Sequence, residues 1–198
     1  MKLDKAYKIL EENKQTYNEI ADEFNQTRNK HDSLMDDLKG YIKNDEKILD
    51  LGCAPGSWAQ YTSKIVGPNG FIFGIDLKPV SVSAKNAKFV VGDIFNTPIE
   101  SFEGSPFDVI MSDMAPNTTG VVLRDQMASA ELCQKVIEII PGLIKPNGSA
   151  VMKIFMSNEV KSVEKLLKTM FKQVHYVRPQ SVRKVSYEIF LVGLGYSK

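Results

Sequence analysis

The chain has 198 residues, 43% of them hydrophobic, which suits one domain with a full core and excludes a disordered chain. Formal net charge is +1, no apolar run reaches membrane-spanning length, and the two cysteines, Cys53 and Cys133, form neither a zinc pattern nor a disulfide scaffold. The charged, helix-patterned N-terminus is not that of a secretory signal, so the expected setting is reducing and cytoplasmic, with no membrane attachment.

The first forty residues read as helices. Leu3, Tyr7 and Leu10 share one face, Tyr17, Ala21 and Phe24 another, and Leu34, Met35, Leu38 and Ile42 form a third stripe. From about residue 46 the pattern changes to strands alternating with helices. "KILDLG" reads as the first strand, followed by a glycine turn and "WAQYTSKIV" as a helix. "GFIFGIDL", "AKFVVGD" and "FDVIMSD" read as strands two to four. Residues 125–144 form a long helix, "GSAVMKIF" a fifth strand and 158–171 another helix. "QVHYVRP" and "YEIFLVGLGY" close the chain as a hairpin-like pair at one edge. The expected fold class is therefore α/β, a Rossmann-like, mostly parallel seven-stranded sheet with helices on both faces. The expected organisation is a single domain over 1–198, with an N-terminal helical segment (1–45) and a core (46–198).

Charge is uneven along the chain. The first fifty residues hold nine Lys/Arg against twelve Asp/Glu, whereas residues from 151 onward hold nine Lys/Arg against three Glu. A basic C-terminal third points mildly to a polyanionic partner. A solvated helix face explains part of it, because Lys161, Lys165, Lys168 and Lys172 fall at helical spacing.

In a sheet of this kind ligands sit beyond the carboxyl ends of the strands. "LDLGCAPGSW" places Gly52 and Gly56 there, where the backbone must turn sharply. The dinucleotide fingerprint G-x-G-x-x-G is not met, so a pyrophosphate cradle is not expected. Asp76 ends the second strand, where an acid commonly holds a ribose diol, and Asp93 ends the third, where an acid can take the exocyclic amine of adenine. Together these suit S-adenosyl-L-methionine better than NAD. Trp58 opens the helix after the turn and either packs on the cofactor or fills the core. Cys53 reads as a small packed residue, not a thiolate nucleophile. His175 reads as a structural surface residue. Asp113, in "MSDMAPN", is a carboxylate delivered by the end of the fourth strand.

"LDLGCAPGSWAQY", "GIDLKP", "VVGD", "VIMSDMAPNTTG" and "RPQSVRKVSYEIFLVGLG" together resemble the FtsJ/RrmJ family of ribose 2′-O-methyltransferases, over roughly residues 46–197. The resemblance implies a class I methyltransferase that uses S-adenosyl-L-methionine and acts on RNA, ribosomal RNA first and tRNA second. By the same match Gly56, Trp58, Asp76 and Asp93 contact the cofactor, and Asp113 lies near the methyl donor. The family's catalytic Lys-Asp-Lys-Glu set carries over as Asp113, Lys153 in "VMKIF" and Glu188 in "SYEIF". Counting back at the family's spacing lands on His31, and the adjacent Lys30, twenty residues before Asp50, takes the place of its first lysine. Lys8, in "AYKILEE", has the better local pattern and stays as the alternative. This chain departs from the family after Lys153, where Ile154-Phe155-Met156-Ser157-Asn158 stands in place of a Phe-Gln-Gly-like turn.

The chemistry implied is demanding at one atom only. A ribose 2′-hydroxyl needs in-line positioning and removal of its proton, and a lysine can take that proton only when neutral. Arg178, Arg183 and Lys184 near the last hairpin are candidate phosphate contacts. Two other readings stay open: a methyltransferase for a base nitrogen or a small molecule, and a catalytically silent RNA-binding module on the same fold. The chain is expected to be a monomer with no obligate protein partner.

Overall fold

The computed structural model describes residues 39–178 and 188–198. The helical stripes read in the first 38 residues, with Lys8 and Lys30, lie outside the described residues, as do Arg183 and Lys184.

Strands β1 (Lys47–Leu51), β2 (Phe71–Asp76), β3 (Ala87–Val91) and β4 (Phe107–Ser112) are short apolar runs of the kind that a sheet covered on both faces requires. Helix α1 (Ser57–Val66) follows β1, and helix α2 (Val122–Leu143) leads into β5 (Ile144–Phe155). Helix α3 (Glu159–Lys168), β6 (Phe171–Val177) and β7 (Glu188–Tyr196) complete the described elements. All seven strands form one sheet in the order β3-β2-β1-β4-β5-β7-β6. β1 pairs in parallel with β2 and β4, and β2 with β3 and β4 with β5 also run parallel. β7 is inserted antiparallel between β5 and β6.

Several boundaries differ from those read in the sequence: α3 ends at Lys168, short of 171, and β6 starts at Phe171, two residues ahead of "QVHYVRP". α2 starts at Val122, three residues before the expected start, because the loop ahead of it is tied to Asp125 and delivers the chain in helical register. β5 starts at Ile144, ahead of "GSAVMKIF". Its first residues, Lys145-Pro146-Asn147, enter irregularly, with Asn147 at φ 62° and a register shift against β4 between Phe107 and Val109. Gly148 is required there, because a Cβ would lie 2.8 Å from the Asp108 carbonyl oxygen.

The core has two parts, one on each side of the sheet. One joins Leu49, Leu51, Ile110, Met152 and Ile154 to the α2 and α3 faces, including Val136, Ile140, Val163 and Leu167. The other joins Ile48, Ile72, Val109, Met111 and Val151 to Trp58 and Val66 of α1. Alternation along each strand divides these sets between the two faces. No helix among the described residues is long and apolar enough to cross a membrane.

Candidate active site

The carboxyl ends of β1, β2 and β4 bring three acids together. Asp50, on the central strand β1, is fully buried, and neither of its carboxylate oxygens has a hydrogen-bond partner among the described residues. Burial pushes its carboxyl up to about 8, and the nearby Asp113 and Asp76 push in the same direction. An unpaired buried carboxylate is costly unless a donor or a cation completes it.

Asp76 is the last residue of β2, as expected. Its Oδ2 accepts the Ala54 N–H at 2.9 Å and its Oδ1 accepts the Lys78 N–H at 2.8 Å. The side chain therefore pins the glycine turn to the end of β2, and each oxygen keeps a lone pair for a further donor. Asp93 lies two residues beyond β3 and closes a turn. It accepts the Phe95 N–H at 3.0 Å and the Asn96 side-chain amide at 2.8 Å. The glycines of the turn are needed for close approach. Gly52 has φ 79°, and a Cβ on it would lie 2.7 Å from the Met114 side chain. Gly56 has φ 114°, and a Cβ on it would lie 2.3 Å from Val82.

The Trp58 ring is 4% exposed and packs on Phe190 with ring centroids 5.6 Å apart. The ring packs within the core, and its Nε1–H is buried without a hydrogen-bond partner among the described residues. Cys53 is buried, and burial, with Asp50 and Asp76 nearby, pushes its thiol up and away from nucleophilic use.

On the neighbouring strands the structure brings Lys153, Asp113 and Glu188 together. Lys153 Nζ lies 2.9 Å from Asp113 Oδ1 and 4.0 Å from Glu188 Oε1, with the lysine side chain 10% exposed. Three elements fix this arrangement. The Asp113 N–H donates to the Leu51 carbonyl at 3.0 Å, holding the residue after β4 against β1. β7 sets Phe190 opposite Lys153 and Glu188 opposite Phe155. Helix α2 clamps the end of β5: Cys133 Sγ donates to the Lys153 carbonyl at 3.1 Å, and Ser129 Oγ accepts the Phe155 N–H at 3.0 Å.

Beside this group lies a cavity of about 330 Å³ lined by Thr118, Gly120, Val122, Asp125, Gln126, Phe155 and Glu188. Its loop wall is held by Asp125, which accepts the Thr119 N–H and hydroxyl at 2.8 Å each and the Gly120 N–H at 3.1 Å. The Thr119 N–H, with the other bonds, holds the Asp125 carboxyl below its ordinary range.

Two residues needed more than the sequence pattern to stand out. Asp50 was one strand-end acid among several, and only its burial without a partner distinguishes it. Asp125 was a helix residue, and its tie to the preceding loop is a tertiary feature.

The FtsJ-like methyltransferase family model matches residues 29–196. A ribosomal RNA large subunit methyltransferase E from Bdellovibrio bacteriovorus is 43% identical over 158 residues, covering 77% of this chain and 81% of that protein. The protein of the same name from Desulfatibacillum aliphaticivorans is 44% identical over 155 residues, covering 77% and 75%. Among solved structures, a candidate ribosomal RNA methyltransferase from Plasmodium falciparum superposes with a TM-score of 0.72 at 27% identity, covering 86% of this chain and 96% of that one. The Methanococcus jannaschii fibrillarin pre-rRNA processing protein, at 21% identity and a TM-score of 0.61, covers 80% and 70% and shares the fold. The sheet order, the strand-end acids and these matches lead to one assignment: the chain is an enzyme with a Rossmann-like, class I methyltransferase fold and belongs to the FtsJ-like methyltransferase family.

Proposed function

We propose that this protein transfers a methyl group from S-adenosyl-L-methionine to a ribose 2′-hydroxyl of ribosomal RNA. The observation that carries this reading is the Lys153–Asp113–Glu188 group at the carboxyl edge of β4, β5 and β7, next to the acids of β1 and β2. The large-subunit ribosomal RNA methyltransferases that it resembles support the substrate. All described strands lie in one sheet, which supports a single catalytic domain with residues 46–198 as its core.

The residues present fit the cofactor. Asp50 offers two buried oxygens without partners, which an ammonium group would satisfy. Asp76 offers spare lone pairs to a ribose diol and Asp93 an acceptor to an amine, while Gly52, Gly56 and the Trp58 backbone shape the turn alongside. Three clustered acids suit a ligand of net positive charge, not a pyrophosphate. Bound there, S-adenosyl-L-methionine supplies an electrophilic sulfonium methyl group.

The chain's own residues have three tasks. Lys153, positioned by Asp113 and Glu188, meets the ribose hydroxyl and, as the neutral amine, accepts its proton to become the ammonium that the two carboxylates hold. Asp113 orients the lysine and favours positive charge developing beside it. Glu188 holds the amine from the opposite strand. A second cation on the RNA side of Lys153 would hold the target phosphate or ribose. The family match begins at residue 29 and so takes in Lys30 and leaves out Lys8, which supports Lys30 in this role.

The test is incubation with methyl-labelled cofactor and protein-free large-subunit ribosomal RNA, with tRNA in parallel, followed by mapping of the label. Label on a ribose 2′-oxygen of the ribosomal RNA is the expected result. Label on a base would overturn the reaction, and label confined to tRNA would overturn the substrate.

A further inference from the structure

The cavity beside Glu188 has no part in the chemistry above, and its lining is specific. It contains the aromatic Phe155, the apolar Val122 and the amide of Gln126 but, among the described residues, no lysine or arginine. Its two acids, Asp125 and Glu188, make it hostile to phosphate. We propose that this cavity is the subsite for the nucleobase of the nucleotide undergoing methylation, splayed out of its RNA helix. The proposal rests on the ribose 2′-hydroxyl reading and says where the rest of that nucleotide goes.

Position is the first support. Lys153 and Phe155 are two residues apart on β5, so their side chains leave the same face of the sheet, about 6.6 Å apart along the strand. A nucleobase is attached at C1′, next to the carbon that bears the 2′-hydroxyl. A ribose whose hydroxyl meets the Lys153 amine therefore carries its base a short step away, the step that separates Lys153 from Phe155. Glu188 forms both the partner of Lys153 and one wall of the cavity, so the two spaces are continuous.

Chemistry is the second. The volume, about 330 Å³, lies at the lower end of the ~300–1,000 Å³ typical of small-ligand pockets, suitable for one base. Phe155 and Val122 both line the cavity and give it apolar surface against which a base can pack, the usual way in which proteins hold unstacked bases. Gln126 supplies the polar contact. Its Nε2 donates to the Met156 carbonyl at 2.6 Å, and a carbonyl can only accept, so the amide orientation is fixed. The Gln126 Oε1 accepts no hydrogen bond among the described residues and is left for an N–H on the base edge. The Asp125 carboxylate, by contrast, is occupied by Thr119 and Gly120 and serves to hold the loop wall.

A base still stacked in a duplex cannot enter such a recess, so the target has to be single-stranded or turned out. The exposed Val121, Leu123, Met127 and Met156 are the competing feature, since apolar side chains in solvent also suit a protein partner. The experiment separates the two occupants.

Wild-type enzyme is first used with labelled cofactor to map the modified nucleotide on protein-free large-subunit ribosomal RNA. Two oligonucleotides spanning that nucleotide are then made, one intact and one with the target base removed and its ribose retained. Gln126→Ala and Phe155→Leu are compared with wild type on both, with cofactor affinity by calorimetry as the check on folding. Wild type is expected to lose at least tenfold in kcat/KM on the abasic RNA. Each variant is expected to lose at least fivefold on intact RNA and less than twofold on abasic RNA, with cofactor affinity within twofold of wild type. This non-additivity is what direct contact requires. Equal losses on both RNAs, or full activity on the abasic one, would overturn the subsite. Losses seen only on ribosomal particles, never on naked RNA, would assign the face to a protein. If wild type labels bases and no ribose, the ribose reading itself has failed and the subsite falls with it.

Discussion

The two ends of the sheet treat their acids in opposite ways. At the amino end, Asp108 of β4 is satisfied within the chain. Both its oxygens accept from Lys145 Nζ at 2.7 Å, and Oδ2 also accepts the Lys47 N–H at 2.8 Å. At the carboxyl end Asp50 is buried with no donor among the described residues, and Asp113 is joined by a lysine that also faces Glu188. The same residue type in the same sheet is thus closed at one end and open at the other. Unfilled polar capacity is the mark of the end that receives ligands, and a fold that keeps it tolerates the cost for the sake of binding.

The largest break in that contrast is at Lys153. Lys153→Ala should lower methyl transfer by about 10²–10⁴-fold, the usual contribution of a positioned acid–base group, with cofactor affinity within a few-fold. Lys153→Arg should be nearly as inactive, because a guanidinium stays protonated and cannot accept the hydroxyl proton. Single-turnover rates with labelled cofactor, beside calorimetric affinities, check both. A fully active Arg variant would leave Lys153 with an electrostatic role only.

Asp76 comes next. Asp76→Ala removes hydrogen bonds offered to the ribose and also the tie to the Ala54 N–H, so cofactor affinity should fall by about 1.5–3 kcal/mol. Calorimetry reads this directly, and unchanged affinity would remove Asp76 from the site. Lys30→Ala should lower turnover about tenfold, or ~1.4 kcal/mol in the barrier, with Lys8→Ala doing less. The reverse order in steady-state kinetics would transfer the role to Lys8.

Much of this contrast was legible in the sequence, for a physical reason. Strand-end positions follow from short apolar runs bounded by turns, so Asp76, Asp113 and Lys153 could be placed at the carboxyl edge before any coordinates. The insertion of β7 between β5 and β6 was not legible beyond a hairpin-like pair. Strand neighbours are set by long-range packing, and the local pattern of "YEIFLVGLGY" is the same in either place. Trp58 was undecided because a helix-opening tryptophan can face core or ligand, and its packing on Phe190 is a tertiary contact that the local pattern does not carry. Asp50 and Asp108 look alike as letters beside apolar residues. Their difference lies in whether Lys47 and Lys145 reach them, which is a matter of three-dimensional distance.

Asp50 also gives a smaller, pH-dependent effect. Its carboxyl titrates near 8 in the folded protein because of burial, and near the ordinary carboxylate value when unfolded. Below about pH 4 both states hold the proton. Between there and pH 8 only the folded state keeps it, so this group's contribution to stability falls as pH rises through that window. Asp50→Asn should flatten the fall and raise the Tm of the ligand-free protein at pH 8 by about 3 °C or more, the shift that ~1 kcal/mol gives a chain of this size. Thermal melts of both forms at pH 5 and pH 8 check it. A gain at pH 5 as large as at pH 8 would show that the benefit is packing and not relief of charge. The variant should also bind the cofactor more weakly, having exchanged a carboxyl group that can ionise against an ammonium for an amide that cannot.

The smallest effect on the chemistry is predicted at the closed end. Asp108→Asn leaves an acceptor for the Lys47 N–H but removes the charge that Lys145 meets. Both side chains of that ion pair are partly exposed, so solvent screens it and the loss should be no more than about 1 kcal/mol. Added salt should narrow the gap between variant and wild type, since screening weakens only the charged form. Turnover and cofactor affinity should stay at the wild-type level, because Asp108 lies at the opposite end of β4 from Asp113. Urea melts at low and high salt, with methyl-transfer rates on the same preparations, make the check. A large loss of activity without a matching loss of stability would mean that the two ends of β4 communicate, and the division of the sheet into a closed end and an open one would have to be given up.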